Sequence, residues 1–129
     1  MRIVFILLLL FCNFLAYAQE VPPIQNYAPV DYGAGTQNWA ISQSGEKFIY
    51  VANNAGLLEF NGAQWKLYPS PNGTYIRSVN VVGDLIYTGC YMEFGYWERN
   101  EHGILNYVSL TNKLGEDLIE DEQFWNILE

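Results

Sequence analysis

One pattern of apolar and polar positions occurs twice along the chain and begins a third time. Ile49–Trp65 reads IYVANNAGLLEFNGAQW, and Ile86–Glu98 reads IYTGCYMEFGYWE. When the tyrosines in second position are aligned, a two-residue slip matches Gly56–Glu59 to Gly95–Glu98. The two alignments predict a repeat of about 37 to 39 residues that is built from short strands.

A further apolar strand precedes each copy. Asn38–Ser42 precedes the first copy, Ile76–Val79 precedes the second, and Phe124–Leu128 has the same character. Turn residues divide the first unit into four predicted strands, Gln37–Gln43, Lys47–Ala52, Leu57–Phe60 and Gln64–Tyr68. The second unit divides in the same way into Tyr75–Val82, Leu85–Cys90, Glu93–Glu98 and Ile104–Leu110.

The predicted turns fall between these strands. Ser44–Glu46 and Asn53–Gly56 separate the first three strands, and Asn and Gly tolerate positive φ in such turns. Asn61-Gly62 predicts a hairpin with a type I′ turn, in which both central residues have positive φ. In the second unit, Gly83-Asp84 forms the first turn and Arg99–Gly103 a longer polar one.

These elements predict an all-β fold, a partial β-propeller of about two four-stranded antiparallel blades plus the first strand of a third. We expect an extended lead-in at residues 19–36, blades at 37–71 and 72–114, and an acidic connector that starts the third blade at 115–129. The smallest closed ring has four blades and needs about 160 residues. The remaining blades of a longer protein are therefore the expected partners of this segment.

The amino terminus has the pattern of a secretory signal peptide. Met1-Arg2 supplies a positive charge, Ile3–Phe11 is an unbroken apolar run, and Ala16–Ala18 places small residues where a signal peptidase reads them. Residues 1–18 are the predicted signal, and an uncleaved anchor is the less favoured alternative. The apolar run is shorter than the roughly 20 residues that a spanning helix needs. The expected location is exported and periplasmic.

Charge excludes some functions. The chain carries 14 acidic and six basic residues, and one of the basic residues, Arg2, lies in the predicted signal. No cluster of Lys or Arg occurs, so we expect no contact with nucleic acid or with an anionic membrane in this segment.

The sequence contains no recognisable catalytic grouping. Cys90 is the one thiol left after Cys12 leaves with the signal, and its apolar surroundings predict a small buried hydrophobe. The only histidine, His102, lies in a predicted turn, and Glu93 and Glu98 should point to opposite faces of one strand. We therefore assign no catalytic residues and no cofactor, and we predict that the segment is not an enzyme.

Two further motifs are weak. Asp117, Glu120 and Asp121 could hold Ca²⁺, but they lack the alternating acidic loop of a calcium site, so a solvated linker is favoured and no metal site is assigned. Asn72-Gly73-Thr74 fits the glycosylation acceptor pattern, which is also common by chance.

Aromatic residues recur at matching places in the units. Trp39 and Trp125 fall on the innermost strands, and Tyr50 and Tyr87 fall on the second strands. Packing between blades is the favoured explanation, because large flat side chains fill the space between twisted sheets. A sugar-stacking platform is the alternative, and it would require exposed rings at the mouth of the central channel.

The first unit resembles a known family. Gly56–Gly62, followed by Trp65, is similar to the blade core Gly-Leu-x-x-(aromatic)-(Asp/Asn)-Gly-x-x-Trp of the two-component regulator propeller. Four stretches also resemble the start of the triple-tyrosine-motif regulators of Bacteroidetes-type bacteria: Gln37–Ser42, Ile49–Trp65, Ile76–Val79 and Glu93–Trp97. The similarity covers nearly all of the mature chain. The second unit departs from this pattern, with Tyr96–Glu98 and a polar turn in place of the Asn-Gly and the Trp.

The resemblance implies the sensory end of a membrane-bound regulator. Members of the family have a periplasmic propeller, a small β-sandwich, a membrane span and an inner kinase or helix-turn-helix domain, and they read an extracellular cue that is often glycan-derived. The alternatives are an exported carbohydrate-binding or scaffold propeller and a propeller enzyme. The loops Asn53–Gly56 and Tyr91–Glu93 are candidate contacts by position alone, so no binding residue is assigned.

Overall fold

The computed structural model describes Met1, residues 22–114 and residues 121–128. Its strands form two four-stranded antiparallel sheets, each ordered as in the sequence. Sheet 1 contains β1 (Asn38–Gln43), β2 (Ile49–Asn53), β3 (Gly56–Phe60) and β4 (Trp65–Pro69). Sheet 2 contains β5 (Ser78–Val82), β6 (Leu85–Gly89), β7 (Phe94–Arg99) and β8 (Leu105–Ser109). The all-β class is confirmed, and the two sheets do not close into a ring.

Helix is nearly absent from the described residues. It is limited to the four-residue α1 (Pro29–Tyr32) and a 3₁₀ turn (Thr111–Lys113). Within the same residues no helix is long and apolar enough to cross a bilayer. The predicted signal peptide and most of the acidic connector, residues 115–120, lie outside the described residues.

The two sheets pack face to face over one apolar layer. Sheet 1 contributes four buried side chains from its inner face, Tyr50, Ala52, Leu57 and Tyr68. Sheet 2 contributes Val79, Ile86, Trp97 and Leu105, with Ile76 and Cys90 at the edge of the same cluster. Since β2 and β3 are also covered on their opposite face, their runs of apolar residues are explained by burial on both sides.

The sheets approach each other most closely at β1 and β5. The contacts between these two strands exceed those of any other pair from different sheets. Ser42 Oγ accepts a hydrogen bond of 3.0 Å from the backbone N–H of Val81, which joins the two strands directly. The sheets are therefore closest at their first strands, and β2 and β6 lie in separate sheets.

The register of sheet 2 corrects the predicted alignment of the repeats. Tyr50 lies opposite Glu59 in sheet 1, and Tyr87 lies opposite Tyr96 in sheet 2. The offset is 37 residues for both strands (87 − 50 and 96 − 59), so the predicted two-residue slip is wrong within the β2–β3 unit. The Gly-x-x-Glu likeness came from two glycines in different registers, because Gly95 pairs with Thr88 inside the ladder whereas Gly56 begins β3.

The hairpin after β3 is confirmed, but its predicted type I′ turn is wrong. Gly62 has a φ of 94°, whereas Asn61 is absent from the described non-glycine residues with positive φ. The Asn61 carboxamide oxygen instead accepts the backbone N–H groups of Ala63 and Gln64, at 2.9 and 2.8 Å. An Asx turn therefore closes a four-residue loop, and Asn61 acts through its side chain.

The lead-in is not wholly extended as predicted. Pro29 begins α1, Gly33 ends it with a φ of 64°, and the Asp31 carboxylate accepts the Ala28 N–H at 2.7 Å. Tyr32 and Tyr27 then pack against Trp65, with ring centroids 5.8 and 5.3 Å away. Local capping and aromatic contacts thus hold this segment on the outer face of sheet 1.

The predicted strand Phe124–Leu128 is not formed in the structure. Residues 121–128 contain one isolated bridge, between Gln123 and Tyr91, and no strand. A strand needs a partner along its length, and the backbone groups of this segment pair instead with Cys90, Tyr91 and Met92 in the loop between β6 and β7. The first strand of a third sheet is therefore absent from the described residues.

Replacement of Gly56 tests the packing of the β3–β4 edge. A Cβ at this position would overlap the carbonyl oxygen of Tyr68 and lie 2.9 Å from the Ser70 nitrogen. We expect Gly56→Ala to lower the free energy of unfolding of the intact protein by about 3 kcal/mol or more. The matched control is Gly45→Ala, which meets no atom within 4 Å and should change stability by less than about 0.5 kcal/mol. Equal urea midpoints for both variants would contradict the described register.

Candidate functional site

Three side chains meet at one end of the strands, one from β1, one from the residue before β5 and one from the segment after the connector. The Cζ of Arg77 lies 3.8 Å from the ring centroid of Trp39 and 4.7 Å from that of Trp125. The two indoles also touch edge to face, with centroids 5.9 Å apart. We call Trp39, Arg77 and Trp125 the tryptophan–arginine cluster. Each contact lies within the range of cation–π and aromatic pairing.

Trp39 is placed by an irregularity in β1. The register of β1 and β2 shifts between Asn38 and Ala40, so Trp39 is the extra residue of a bulge. A bulge re-aims a side chain relative to its neighbours. The indole Nε1 of Trp39 donates a 2.7 Å hydrogen bond to Asn54 Oδ1 in the turn between β2 and β3.

Asn53 fixes the backbone beneath Trp39. It is fully buried at the end of β2, although the turn prediction treated it as a residue suited to positive φ. Its carboxamide accepts the Gly35 N–H at 3.0 Å and donates to the Gly35 carbonyl at 2.7 Å. It also donates to Asn38 Oδ1 at 2.7 Å and accepts the Ala55 N–H at 2.9 Å. This carboxamide joins the lead-in, β1 and the turn.

Trp125 is placed by the segment that follows the connector. The Phe124 N–H donates to the Cys90 carbonyl at 3.2 Å, and Ser78 Oγ donates to the Phe124 carbonyl at 2.8 Å. A Cβ on Gly89 would lie 2.6 Å from Ser78 Oγ and 2.7 Å from the Phe124 carbonyl oxygen. Only glycine allows this close approach of the segment to β6.

A cavity of about 310 Å³ opens beside the cluster. Its wall is formed by six residues, Gly73, Thr74, Tyr75, Arg77, Tyr91 and Gln123. The Tyr75 ring centroid lies 5.3 Å from the Arg77 guanidinium, and Tyr91 Oη lies 3.0 Å from Asp121 Oδ1 as a hydrogen-bond donor. Aromatic faces and polar groups therefore border one concave surface, as in small-molecule sites.

The recurring aromatic residues divide between the two explanations. Tyr50 is 3% exposed and packs between the sheets, as the packing explanation predicts. Trp125 is 51% exposed and Tyr75 is 50% exposed, and both lie at the cluster. Tyr87 is half-buried against Tyr96 on the far face of sheet 2. Exposed rings thus occur at one end of the innermost strands.

The two loops that were candidate contacts, Asn53–Gly56 and Tyr91–Glu93, lie at the cluster end of the strands. Asn54, in the first loop, binds Trp39, and Tyr91, in the second, lines the cavity. The Asn72 carboxamide, part of the acceptor triplet, donates to the Tyr91 carbonyl at 2.8 Å and accepts the Thr74 hydroxyl at 2.7 Å. The triplet therefore braces the second loop.

A second polar group joins the sheets at the opposite end of the strands. Arg99 of β7 forms an ion pair with Glu59 of β3 and donates to Tyr50 Oη at 3.0 Å. Burial, together with the charge of Glu59, raises the pKa of the Tyr50 hydroxyl above its ordinary value. A cleft of about 630 Å³ lies beside this group, with Glu46 and Asp84 on its wall.

This opposite cleft offers less chemistry than the cluster. Arg99 already has a carboxylate partner, a tyrosine partner and a 2.8 Å hydrogen bond to the Gly103 carbonyl. Within the described ranges no three His, Cys, Asp or Glu residues are grouped to hold a metal ion. Of the proposed calcium ligands, Asp117 and Glu120 lie outside those ranges, and Asp121 bonds to Tyr91.

The predicted burial of Cys90 is confirmed. The thiol is fully buried, and its desolvation raises its pKa to about 11. Cys90 precedes β7, whereas His102 is exposed in the turn beyond the other end of that strand. Glu93 accepts a 2.8 Å hydrogen bond from the Tyr107 hydroxyl, and Glu98 is exposed. These groups do not form a catalytic arrangement.

Sequence reasoning missed the two arginines. Arg77 lies within the segment Ile76–Val79 that was aligned with Asn38–Ser42, so a residue-by-residue alignment could have placed it beside Trp39. Arg99 was assigned to a turn but ends β7. Its pairing with Glu59 joins residues 40 positions apart, and no local pattern signals it.

Comparisons with protein-family models, with curated proteins and with solved structures find no match to this chain.

Loss of Arg99 should leave a buried carboxylate without its partner. Removing one member of a buried pair costs about 3–5 kcal/mol. Because the Arg99 side chain is 31% exposed, we expect Arg99→Met to cost about 2 kcal/mol. The double variant Glu59→Gln/Arg99→Met should recover part of this loss in urea unfolding of the intact protein. Lys113→Met, at an exposed position, is the control. If Arg99→Met destabilises the protein as little as Lys113→Met does, the ion pair between Arg99 and Glu59 is refuted.

The buried thiol predicts a loss of stability at alkaline pH. An unfolded chain ionises Cys90 near the ordinary pKa of 9.0, whereas the folded chain does so at about 11. The raised pKa means that the stabilisation is complete below pH 9 and is lost as the pH rises to 11. Wild type should lose about 2 kcal/mol more than Cys90→Ala between pH 8 and pH 11. Parallel urea-unfolding profiles of the two proteins would disprove this assignment.

Proposed function

We propose that this chain forms the first blades of an exported β-propeller that acts as the periplasmic sensor of a membrane-bound signal-transduction or transcriptional regulator. In this proposal the segment is non-catalytic, and the later blades of the longer protein are its structural partners. Its ligand is an extracellular molecule, with glycan-derived compounds as the first class to test. The sensor reads this ligand and biases an output domain across the membrane.

The arrangement of the sheets supports the propeller part of the proposal. Each sheet is a four-stranded meander, and the two pack face to face with β1 and β5 closest. Stacked meanders that converge at their first strands match the radial architecture of propeller blades. The backbone of Phe124 bonds to Ser78 and Cys90 of the second unit, as a following unit would begin.

The tryptophan–arginine cluster carries the sensing part of the proposal. It joins one residue from each of three successive units at the first-strand end, where the central channel of a propeller would open. Loops from several blades meet at such a mouth and can contact one ligand together. The resemblance of Gly56–Gly62 and Trp65 to the regulator propeller supplies the regulatory role.

Host-cell transcription tests the sensor proposal. Strains that carry wild type, a deletion of the gene, Trp125→Ala or Ile104→Ala would be exposed to a panel of soluble polysaccharides. We expect one polysaccharide to induce a set of genes in the wild type and none in the deletion strain. Loss of one exposed aromatic contact should lower the Trp125→Ala response about tenfold at limiting ligand. Ile104 is 46% exposed and lies away from the cluster, so Ile104→Ala should respond normally.

The outcomes separate the proposal from its main alternative. Identical transcription in the wild-type and deletion strains with every polysaccharide would refute the regulator. If the deletion strain loses polysaccharide binding but its transcription does not differ from that of the wild type, the result would favour an exported carbohydrate-binding propeller that has no output domain.

A further inference from the structure

The guanidinium of Arg77 is surrounded by aromatic rings. Its Cζ lies within 5.3 Å of the ring centroids of Trp39, Trp125 and Tyr75. Among the described residues, the ion pairs are formed by Arg99 and His102, and none involves Arg77. Stacking uses the faces of a guanidinium and leaves its in-plane N–H groups able to donate. The arginine therefore retains donors that these aromatic partners cannot satisfy.

These donors adjoin the cavity beside the cluster. Arg77 is part of its wall together with Thr74, Tyr75, Tyr91 and Gln123, which offer hydroxyl and amide groups. The cavity volume of about 310 Å³ is at the small end of the range for ligand sites. Its size suits one or two sugar rings better than a large ligand.

The chemistry of the wall selects a ligand with both an anionic group and an apolar face. A guanidinium pairs with a carboxylate through two parallel N–H···O bonds. The exposed rings of Tyr75 and Trp125 offer flat apolar surface beside this charge. The carboxylate of Asp121 accepts the hydrogen bond of the Tyr91 hydroxyl, so it orients that ring.

We propose that the tryptophan–arginine cluster binds a uronic acid residue of an oligosaccharide. Arg77 pairs with the uronate carboxylate, and Trp125 and Tyr75 stack on the C–H face of the sugar rings. Thr74 and Gln123 bind ring hydroxyl groups. This assignment rests on the proposed function as a glycan sensor and names the class of glycan that the sensor would recognise.

Calorimetric titration of the intact protein tests this assignment. The probes are trisaccharides of galacturonate, glucuronate and mannuronate, and each is paired with its carboxyl-reduced neutral form. We expect at least one uronate trisaccharide to bind and its neutral form to bind at least about tenfold more weakly. The paired probes differ only in their carboxylates, so the difference in affinity measures the contribution of the carboxylates to binding.

Variants of Arg77 locate the binding site. Arg77→Met keeps an apolar chain beside Trp39 and should weaken uronate binding about tenfold or more. Arg77→Lys keeps the charge but loses the two parallel bonds, so its affinity should be intermediate. Lys66→Met removes an exposed positive charge from β4 and should bind as the wild type does. Tyr75→Ala is a second variant, which removes a half-exposed ring from the cavity wall and should also weaken uronate binding.

Three results would overturn the assignment: no uronate trisaccharide binds, the neutral forms bind equally well, or Arg77→Met binds as the wild type does. Neutral oligosaccharide binding that is lost in Trp125→Ala but retained in Arg77→Met would overturn the uronate assignment and leave the sensor proposal standing. Normal uronate binding without any transcriptional response would overturn the sensor proposal and leave the uronate assignment standing.

Discussion

The apolar layer between the two sheets is the constraint on which the rest of the structure depends. A four-stranded sheet with apolar residues on both faces must be covered on both sides. In sheet 1, Leu57 and Tyr50 face sheet 2, and Leu58 faces the lead-in. Burial of each such side chain contributes about 1.5–3 kcal/mol. This stabilisation is obtained only when the sheets stack face to face, so their relative position is set by apolar burial.

Polar contacts then determine the geometry at each end of the stack. Hydrophobic burial has no direction, whereas hydrogen bonds require defined partners. At one end the Asn53 carboxamide holds the lead-in, β1 and the turn after β2 through four hydrogen bonds. At the other end Arg99 joins Glu59 and Tyr50 across the sheets. The Asn53 contacts fix the end of β1 that carries Trp39, and the hydrogen bonds of the Phe124 backbone place Trp125 beside it.

The sequence predicts the strands well because alternation and turn residues act locally. All eight strands lie near the predicted segments, and the order of strands in each sheet follows from short connections. The type of the Asn61 turn and the register of Gly95 could not be predicted in this way. In both cases side-chain or cross-strand contacts compete with the local backbone preference. Sequence similarity between the two units does not reveal which of them prevails.

The candidate site is harder to predict than the fold, because its residues are distant in the chain. Trp39 and Trp125 are recognisable in the sequence as repeated aromatic residues, but their contact brings β1 together with the segment that follows the acidic connector. Arg77 has no counterpart of the same type in the other units. A repeated residue serves the repeated architecture, whereas a residue that occurs once marks what distinguishes one unit.

The two arginines of the described residues, Arg77 and Arg99, have different kinds of partner. Arg99 has a carboxylate partner within the protein, so its charge is already neutralised by the fold. Arg77 has aromatic neighbours, which stabilise a cation without neutralising its charge. In a chain of formal net charge −8, an arginine held by rings can still attract an anion. This difference in partners is the reason that the proposed ligand site is placed at Arg77 rather than at Arg99.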